Sequence, residues 1–149
     1  MTGQAAAVAG PADWPEVVAL RTRVFVDEQG VPPEIEQDDR DATAVHALSR
    51  DATGRVVATG RLLLGDDGPA GIGRMATDPA ARGSGHGAAV LAELERQAAE
   101  RGVPEIELHA QVTARGFYER AGYTAVGEVY EEAGIAHVTM RRHLANTPD

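Results

Sequence analysis

Apolar residues recur at helical spacing in three stretches of the chain. Residues 14–26 place theirs on one face, behind Asp13 as a candidate N-cap. Residues 85–101 form a second amphipathic pattern, which Gly102 ends, and residues 113–121 form a shorter one. The spacing therefore predicts three helices, separated by segments of a different period.

Those segments have the short apolar runs that are typical of β-strands. Residues 44–49 and 55–64 flank a turn over residues 51–54 and are predicted to pair as an antiparallel hairpin. The other predicted strands are residues 4–9, 71–77, 105–110, 123–126 and 136–141. The pattern therefore predicts one α/β (α+β) domain over residues 1–149, in which about residues 143–149 form a flexible tail.

Composition narrows the classes of function. Without cysteine, the chain has no thiol nucleophile, no thiolate metal site and no disulfide scaffold. Its 14 basic residues are scattered and its net charge is -9, which argues against nucleic-acid binding but leaves room for a cationic substrate. The histidines lack metal-ligand spacing, and no apolar run approaches the ~18 to 20 residues of a membrane span. We therefore expect a cytoplasmic protein that uses no metal and contacts neither nucleic acid nor membrane.

Residues 82–87, Arg-Gly-Ser-Gly-His-Gly, combine a positive charge with uncovered backbone. The three glycines leave their N–H groups accessible, and the helix that follows points its unpaired N–H donors at the same place. A helix N-terminus carries roughly half a positive charge, and Arg82 adds a full one. The segment is therefore predicted to cradle an anion, with a diphosphate as the natural ligand.

The flanking residues separate the nucleotide motifs that could use these glycines. A P-loop requires Gly-Lys-Ser/Thr at its end, which residues 86–88 do not provide. Gly83, Gly85 and Ala88 meet the dinucleotide fingerprint, but residues 77–81 separate them from the preceding strand, and too few βαβ units remain. The order strand, proline turn, Arg-x-x-Gly-x-Gly, helix resembles the acyl-CoA pyrophosphate loop of the GNAT acetyltransferase superfamily. The alternative without a ligand is a glycine-rich turn that only caps a helix.

A second segment supports the same resemblance. Residues 114–123, Ala-Arg-Gly-Phe-Tyr-Glu-Arg-Ala-Gly-Tyr, are similar to the GNAT pattern Asn-x-x-Ala-x-x-Leu/Phe-Tyr-x-x-x-Gly-Phe. Tyr118 and Gly122 stand at the matching positions, and Gln111 replaces the asparagine of the family. Further stretches look like the ElaA-type subgroup: residues 20–29, residues 38, 39 and 46, and residues 127–130 and 137–142. The resemblance thus covers nearly the whole chain.

The resemblance implies both a fold and an activity. The fold would be a mixed, mostly antiparallel central sheet of six to seven strands flanked by about four helices. The activity would be acetyl-CoA-dependent N-acetyl transfer, in which a primary amine of a small molecule or peptide attacks directly in a ternary complex. Two alternatives stay open: an acyl-homoserine-lactone synthase, since such enzymes have a related Arg-x-x-Val-Phe helix, and a non-catalytic acyl-CoA sensor. A monomer and a homodimer are both compatible with the sequence.

The resemblance also implies roles for particular residues. Backbone groups of a bulged strand at Met75, Ala76 and Thr77 would hold the pantetheine and stabilise the oxyanion. The pyrophosphate would bind backbone groups beside Arg82, namely those of Gly83, Ser84, Gly85, His86, Gly87 and Ala88, and Gln111 would face the pantetheine arm. Tyr118 is the candidate that protonates or stabilises the departing CoA thiolate.

The acceptor side of the reaction is less specified. An amine with a pKa of ~10 is mostly charged at neutral pH, so a base or a water relay must take its proton. The candidates are Glu28, His46, His109 and His137, of which the first three are also the predicted acceptor-side residues. The carboxylate-rich residues 27–41 predict either a solvated acidic loop or a mobile wall that attracts a cationic amine.

Overall fold

In the computed structural model, which describes residues 5–65 and 68–144, seven strands form one open sheet in the order β1-β2-β3-β4-β5-β7-β6. The strands are β1 (Ala6–Val8), β2 (Val45–Arg50), β3 (Val56–Leu63), β4 (Ala70–Thr77), β5 (Glu105–Gln111), β6 (Thr124–Glu132) and β7 (Ile135–His143). β4 and β5 pair in parallel, whereas the other neighbours pair antiparallel. The predicted mixed, mostly antiparallel sheet is confirmed.

The α-helices are α1 (Trp14–Arg21), α2 (Pro33–Glu36), α3 (His86–Glu100) and α4 (Arg115–Arg120), which agrees with the expected number. The observed first helical segment extends beyond the predicted residues 14–26, because a π-helical turn over Thr22–Glu28 continues α1. Residues 27–41, predicted as a loop, contain α2 and a 3-10 turn over Asp39–Ala42 instead. None of the helices in the described part of the chain is long and apolar enough to cross a membrane.

The ends of several strands differ from the prediction. β7 includes His143, so the predicted tail begins too early, and residues 145–149 lie outside the described residues. β6 continues to Glu132 because Gly127, with φ +82°, lets the strand pass through a register shift between Val126 and Tyr130. The predicted first strand is observed only as β1, and residue 4 is likewise outside the described part.

Two apolar cores lie on opposite faces of the sheet. α3 packs Leu91 and Leu94 into the core that contains Ala47 of β2. α1 contributes Leu20 to the other core, which contains the next residue of β2, Leu48. Because side chains alternate along a strand, these two neighbours mark the two faces. The sheet is therefore covered by α3 on one side and by α1 on the other.

β4 and β5 pair over only three residues each. Ala70–Ile72 faces Ile106–Leu108, after which β4 continues to Thr77 and β5 to Gln111 without pairing to each other. β4 also contains a bulge, because the register against β3 shifts near Arg74, whose φ of 52° is left-handed. The sheet consequently splits at this point and leaves unpaired backbone N–H and C=O groups along a gap between two strands.

Candidate active site

A cleft of about 760 Å³ lies at this gap. It brings together most of the predicted site residues: Glu28, Met75, Ala76, Thr77, Arg82, Gly83, Gly85, His86, Gly87, Ala88, His109, Gln111, Tyr118 and His137. Ser84 and His46 are not among the residues that line it. The lining residues that sequence analysis missed include Gln29, which directly follows the π-helical turn, and Arg120 of α4. Sequence analysis also missed Phe25 as a lining residue, although its position at the end of the Arg-x-x-Val-Phe pattern could have indicated it.

The glycine loop at one end of the cleft has the backbone that an anion cradle needs. Gly85 is the N-cap of α3 with φ +90°, and Gly83 has φ +84°, a conformation that other residues rarely adopt. A Cβ on Gly83 would meet nothing within 4 Å. Glycine is therefore required here by the backbone conformation and not by lack of room for a side chain. At Gly87 space matters, because a Cβ would lie 3.2 Å from Oγ1 of Thr77.

The His86 side chain points away from the loop. It is buried, and its Nδ1 lies 2.7 Å from the Oγ of Ser49 on β2. Only the backbone of His86 is therefore available to a ligand at the start of α3. The histidine instead fixes the first turn of the helix to the sheet.

Arg82 does not provide the free positive charge that the sequence predicted. Its Nη1 and Nη2 donate to Glu28 at 2.9 and 2.7 Å, and its Nε donates to the Thr77 carbonyl at 3.0 Å. These bonds hold the pKa of Glu28 below its usual value, so the carboxylate stays charged and the pair is neutral. The positive field at the loop consequently comes from the N-terminus of α3.

Substituting Glu28 by glutamine should free the Arg82 guanidinium for an anion in the cleft. We expect the affinity for a diphosphate anion to rise about two- to fivefold at low salt and the gain to shrink as salt is added, since both side chains are partly exposed. Titration calorimetry at two salt concentrations measures the effect. Glu34→Gln removes an exposed carboxylate that does not line the cleft and is the matched control. An equal gain in both variants would contradict the local role of Glu28.

Three carboxylates of residues 27–41 are held by buried arginines, whereas Asp27, Glu34 and Asp39 are exposed. Arg21 donates to Glu36 at 2.5 Å and to Asp41 at 2.9 Å, and Arg21 and Glu36 are each only 1% exposed. Arg61 donates to Asp38 at 2.7 Å and to Asp41 at 2.8 Å, and its hydrogen bonds keep the pKa of Asp38 far below its usual value. These three carboxylates are therefore not free to attract a cationic amine.

His46 belongs to this network rather than to the cleft. Its Nε2 lies 3.0 Å from the Asp41 carbonyl oxygen, and its ring meets Trp14 edge to face at 4.8 Å. The prediction of His46 as an acceptor-side residue is not supported by this placement.

Within the described ranges, no group of three or more histidine or carboxylate side chains is arranged to hold a metal ion.

Tyr118 reaches the cleft from the α3 side of the sheet. It is 7% exposed and packs between Phe117 and Tyr123, with ring centroids 5.0 and 5.9 Å away. Burial raises the pKa of its phenol well above the usual value, so the hydroxyl keeps its proton throughout the neutral range. A buried neutral phenol beside the gap is suited to donate a proton.

The opposite face of β5, β7 and β6 presents a polar and aromatic row. Gln111 pairs with His137, and His137 with Tyr130, so the three side chains share one face. Gln111 also donates to Gln29 at 2.9 Å, which ties β5 to the end of the π-helical turn. His109 lies on the same face of β5, since it is two residues from Gln111. The cleft thus opens towards a phenol on one side and towards imidazoles on the other.

Comparison with known proteins agrees with this architecture. The sequence matches the acetyltransferase (GNAT) domain family over residues 14–144. Protein ElaA of Escherichia coli is 35% identical over 132 residues, which cover 86% of each chain. The crystal structure of E. coli ElaA has a TM-score of 0.77 at 32% identity and covers 90% of this chain and 92% of its own. An acyl-CoA N-acyltransferase from Pseudomonas aeruginosa, also 32% identical, has a TM-score of 0.80 and covers 94% and 99%. The chain belongs to the GNAT acetyltransferase family, within its ElaA-like group.

Proposed function

We propose that this protein is an N-acetyltransferase that moves the acetyl group of acetyl-CoA to a primary amine by direct attack in a ternary complex. The observation that carries the proposal is the gap between β4 and β5, which joins an anion cradle and Tyr118 to a separate polar face. Two substrates could therefore approach the same point from different sides. A covalent intermediate on cysteine is not available to a chain without cysteine.

The coenzyme side of the cleft would hold acetyl-CoA mainly through backbone groups. The N–H donors from Gly83 to Ala88 would receive the pyrophosphate at the positive end of α3. The unpaired edges of β4 and β5 would bind the amides of the pantetheine, since those edges lack strand partners in the gap. Met75, Ala76 and Thr77, which follow the bulge, line this part of the cleft and supply the candidate N–H for the oxyanion.

The reaction then needs two proton transfers. The lone pair of the amine forms the C–N bond with the thioester carbonyl, and the C–S bond breaks with its electron pair going to sulfur. Tyr118 would give its proton to that sulfur, and a base on the acceptor side would take the proton of the amine. Exchange of both protons with water restores the enzyme, and the products are the N-acetylated amine and free CoA.

The direct test is release of free CoA thiol from acetyl-CoA in the presence of a panel of primary amines. We expect transfer to at least one amine, with the acetylated product identified by mass spectrometry. A protein that binds acetyl-CoA but transfers to no amine would instead be the non-catalytic sensor. Release of methylthioadenosine from S-adenosylmethionine would identify the lactone-synthase alternative.

Gly83→Ala tests whether the loop binds the coenzyme. Gly83 and Gly102, which ends α3, both have left-handed φ, +84° and +76°, and at both positions a Cβ would meet nothing within 4 Å. Each Gly→Ala variant should therefore lose a similar stability of about 1 kcal/mol. Only Gly83→Ala should weaken acetyl-CoA binding, by about tenfold, which titration calorimetry measures. Equal binding by both variants would place the pyrophosphate elsewhere.

A further inference from the structure

We propose that His137 is the general base of the reaction, accepting the proton of the acceptor amine at Nε2, while the carbonyl of Ile135 fixes its tautomer. This inference rests on the N-acetyltransferase function proposed above. It assigns the acceptor side of the cleft to one residue among the four sequence candidates. The argument uses the hydrogen bond of the imidazole, its position on the sheet and the placement of the other candidates.

The hydrogen bond of His137 determines which ring nitrogen is free. Nδ1 lies 2.7 Å from the backbone oxygen of Ile135. A carbonyl oxygen only accepts hydrogen bonds, so Nδ1 must carry the hydrogen. In the neutral imidazole Nε2 then has the lone pair, which is the form that a general base requires.

The position of His137 places its side chain at the cleft. The residue is 7% exposed and lines the cleft, opposite Gln111 on β5. Its ring stacks on Tyr130 of β6, with centroids 6.1 Å apart and planes at 26°. A hydrogen bond and a stacked neighbour together restrict the ring, so Nε2 keeps one place on the face opposite α3.

The other candidates are less suited to take the proton. Glu28 is committed to Arg82, and His46 lies outside the cleft. The His109 side chain is half-exposed, and its Nδ1 lies 3.2 Å from Oε1 of Glu132, a contact on the outer surface of the sheet. His109 is therefore the only close rival, and it is less restrained and more solvated than His137.

The ionisable groups around His137 are compatible with a positive charge forming on it. His109 on β5 and Tyr130 and Glu132 on β6 belong to the same face, and His109 and Tyr130 meet edge to face at 5.9 Å. The remaining charged side chains that line the cleft are the neutral Glu28–Arg82 pair and Arg120 of α4. Two carboxylates belong to this face: Glu132, which contacts His109, and Glu107 of β5, which pairs with Arg141 of β7 at 2.8 Å. A positive charge on His137 would therefore form on a face that also carries carboxylates.

The balanced step is simple. The amine nitrogen forms its bond to the acetyl carbon and loses one proton to Nε2, while sulfur leaves with its electron pair and takes the proton of Tyr118. After the products leave, His137 releases its proton to water and the Tyr118 phenolate takes one from water, so both groups are restored. No oxidant, reductant or further reactant is required.

The experiment compares His137→Gln, His109→Gln and His143→Gln with the native protein, using the best primary alkylamine of the panel. Glutamine keeps hydrogen-bonding groups but no basic nitrogen. His143 lies on the same strand as His137, with a side chain 86% exposed and outside the cleft, and is the matched control. At about pH 7 we expect a loss of at least a hundredfold in turnover for His137→Gln and none for His143→Gln. The dissociation constant of acetyl-CoA should stay within about twofold in all variants.

The pH dependence separates a base from a structural role. The native rate should fall in acid and level off at higher pH once the base is free, whereas the rate of His137→Gln should go on rising with pH, because without the base it follows the fraction of free amine. At alkaline pH the turnover rate of His137→Gln should approach the native rate, because the amine is then largely uncharged and hydroxide can accept its proton. A pH profile of His137→Gln with the same shape as the native one, or a change of shape in His109→Gln instead, overturns the assignment.

A readout without catalysis distinguishes the failure of this inference from that of the proposed function. Nitrogen-15 NMR of the native protein should show a hydrogen on Nδ1 of neutral His137, and a hydrogen on Nε2 would overturn the assignment whatever the activity. If the native protein transfers to no amine, the proposed function fails and the base role fails with it. If native transfer is active and His137→Gln is equally active, only the base role fails.

Discussion

Tyr118→Phe should lower the turnover number about a hundredfold or more while the dissociation constant of acetyl-CoA stays within about twofold. The reason is that the phenol is buried beside the gap and burial raises its pKa, so it is uncharged and still carries the proton that the departing sulfur would take. Phenylalanine keeps the ring that packs against Phe117 and Tyr123 and removes only the hydroxyl. Steady-state thiol release and titration calorimetry measure the two quantities separately.

Tyr123→Phe is the matched control for that substitution. Tyr123 is equally buried at 3%, belongs to the same aromatic cluster, and does not line the cleft. Its hydroxyl donates to Glu95 at 2.8 Å, so its loss should cost about 1 kcal/mol of stability without a change in turnover. Equal turnover in Tyr118→Phe and the native protein would remove Tyr118 from the proton pathway.

Arg21→Met should lower the free energy of unfolding by about 3–5 kcal/mol. Arg21 and Glu36 are each 1% exposed, and the second carboxylate oxygen of Glu36 has no hydrogen-bond partner among the described residues. Without Arg21, the nearest remaining cation is Arg74, whose Nε lies 3.8 Å from Glu36. A buried carboxylate would then be left with one weak partner, and chemical denaturation should show a lower midpoint at an unchanged slope.

A double-mutant cycle shows whether the lost stability comes from the buried Glu36 carboxylate that remains without Arg21. Adding Glu36→Leu to Arg21→Met should recover a large part of the stability, since no buried charge then remains in that pair. Arg96→Met, which breaks contacts with Glu93 and Glu100 on the exposed side of α3, should leave the midpoint nearly unchanged. A similar loss for Arg96→Met would indicate a general effect of removing arginine.

Local features of the sequence predicted most of the fold. Helical periodicity located α3, because Gly85 and Gly102 bound one long apolar stripe. The glycine loop and Tyr118 were also recognisable, since each depends on short-range spacing. The parallel contact between β4 and β5 could not be derived from periodicity, because a strand pattern does not state its partner.

Interactions between distant segments were missed for a physical reason. Arg21 lies 15 residues from Glu36 and on the buried face of α1, beside Leu20, where an unpaired arginine would be unfavourable. That position was a signal for a buried carboxylate, although it could not identify which one. The Glu28–Arg82 pair spans 54 residues and had no comparable signal, so Arg82 was predicted to be free.

The π-helical turn Thr22–Glu28 constrains how this chain can vary in length. Glu28 and the next residue, Gln29, hold opposite walls of the cleft, through Arg82 and Gln111. A deletion of one residue in this turn would turn both side chains away from their partners at once, because successive residues of a helix point in different directions. The two walls of the cleft therefore depend on the same turn, and a deletion there would disturb both at a single step.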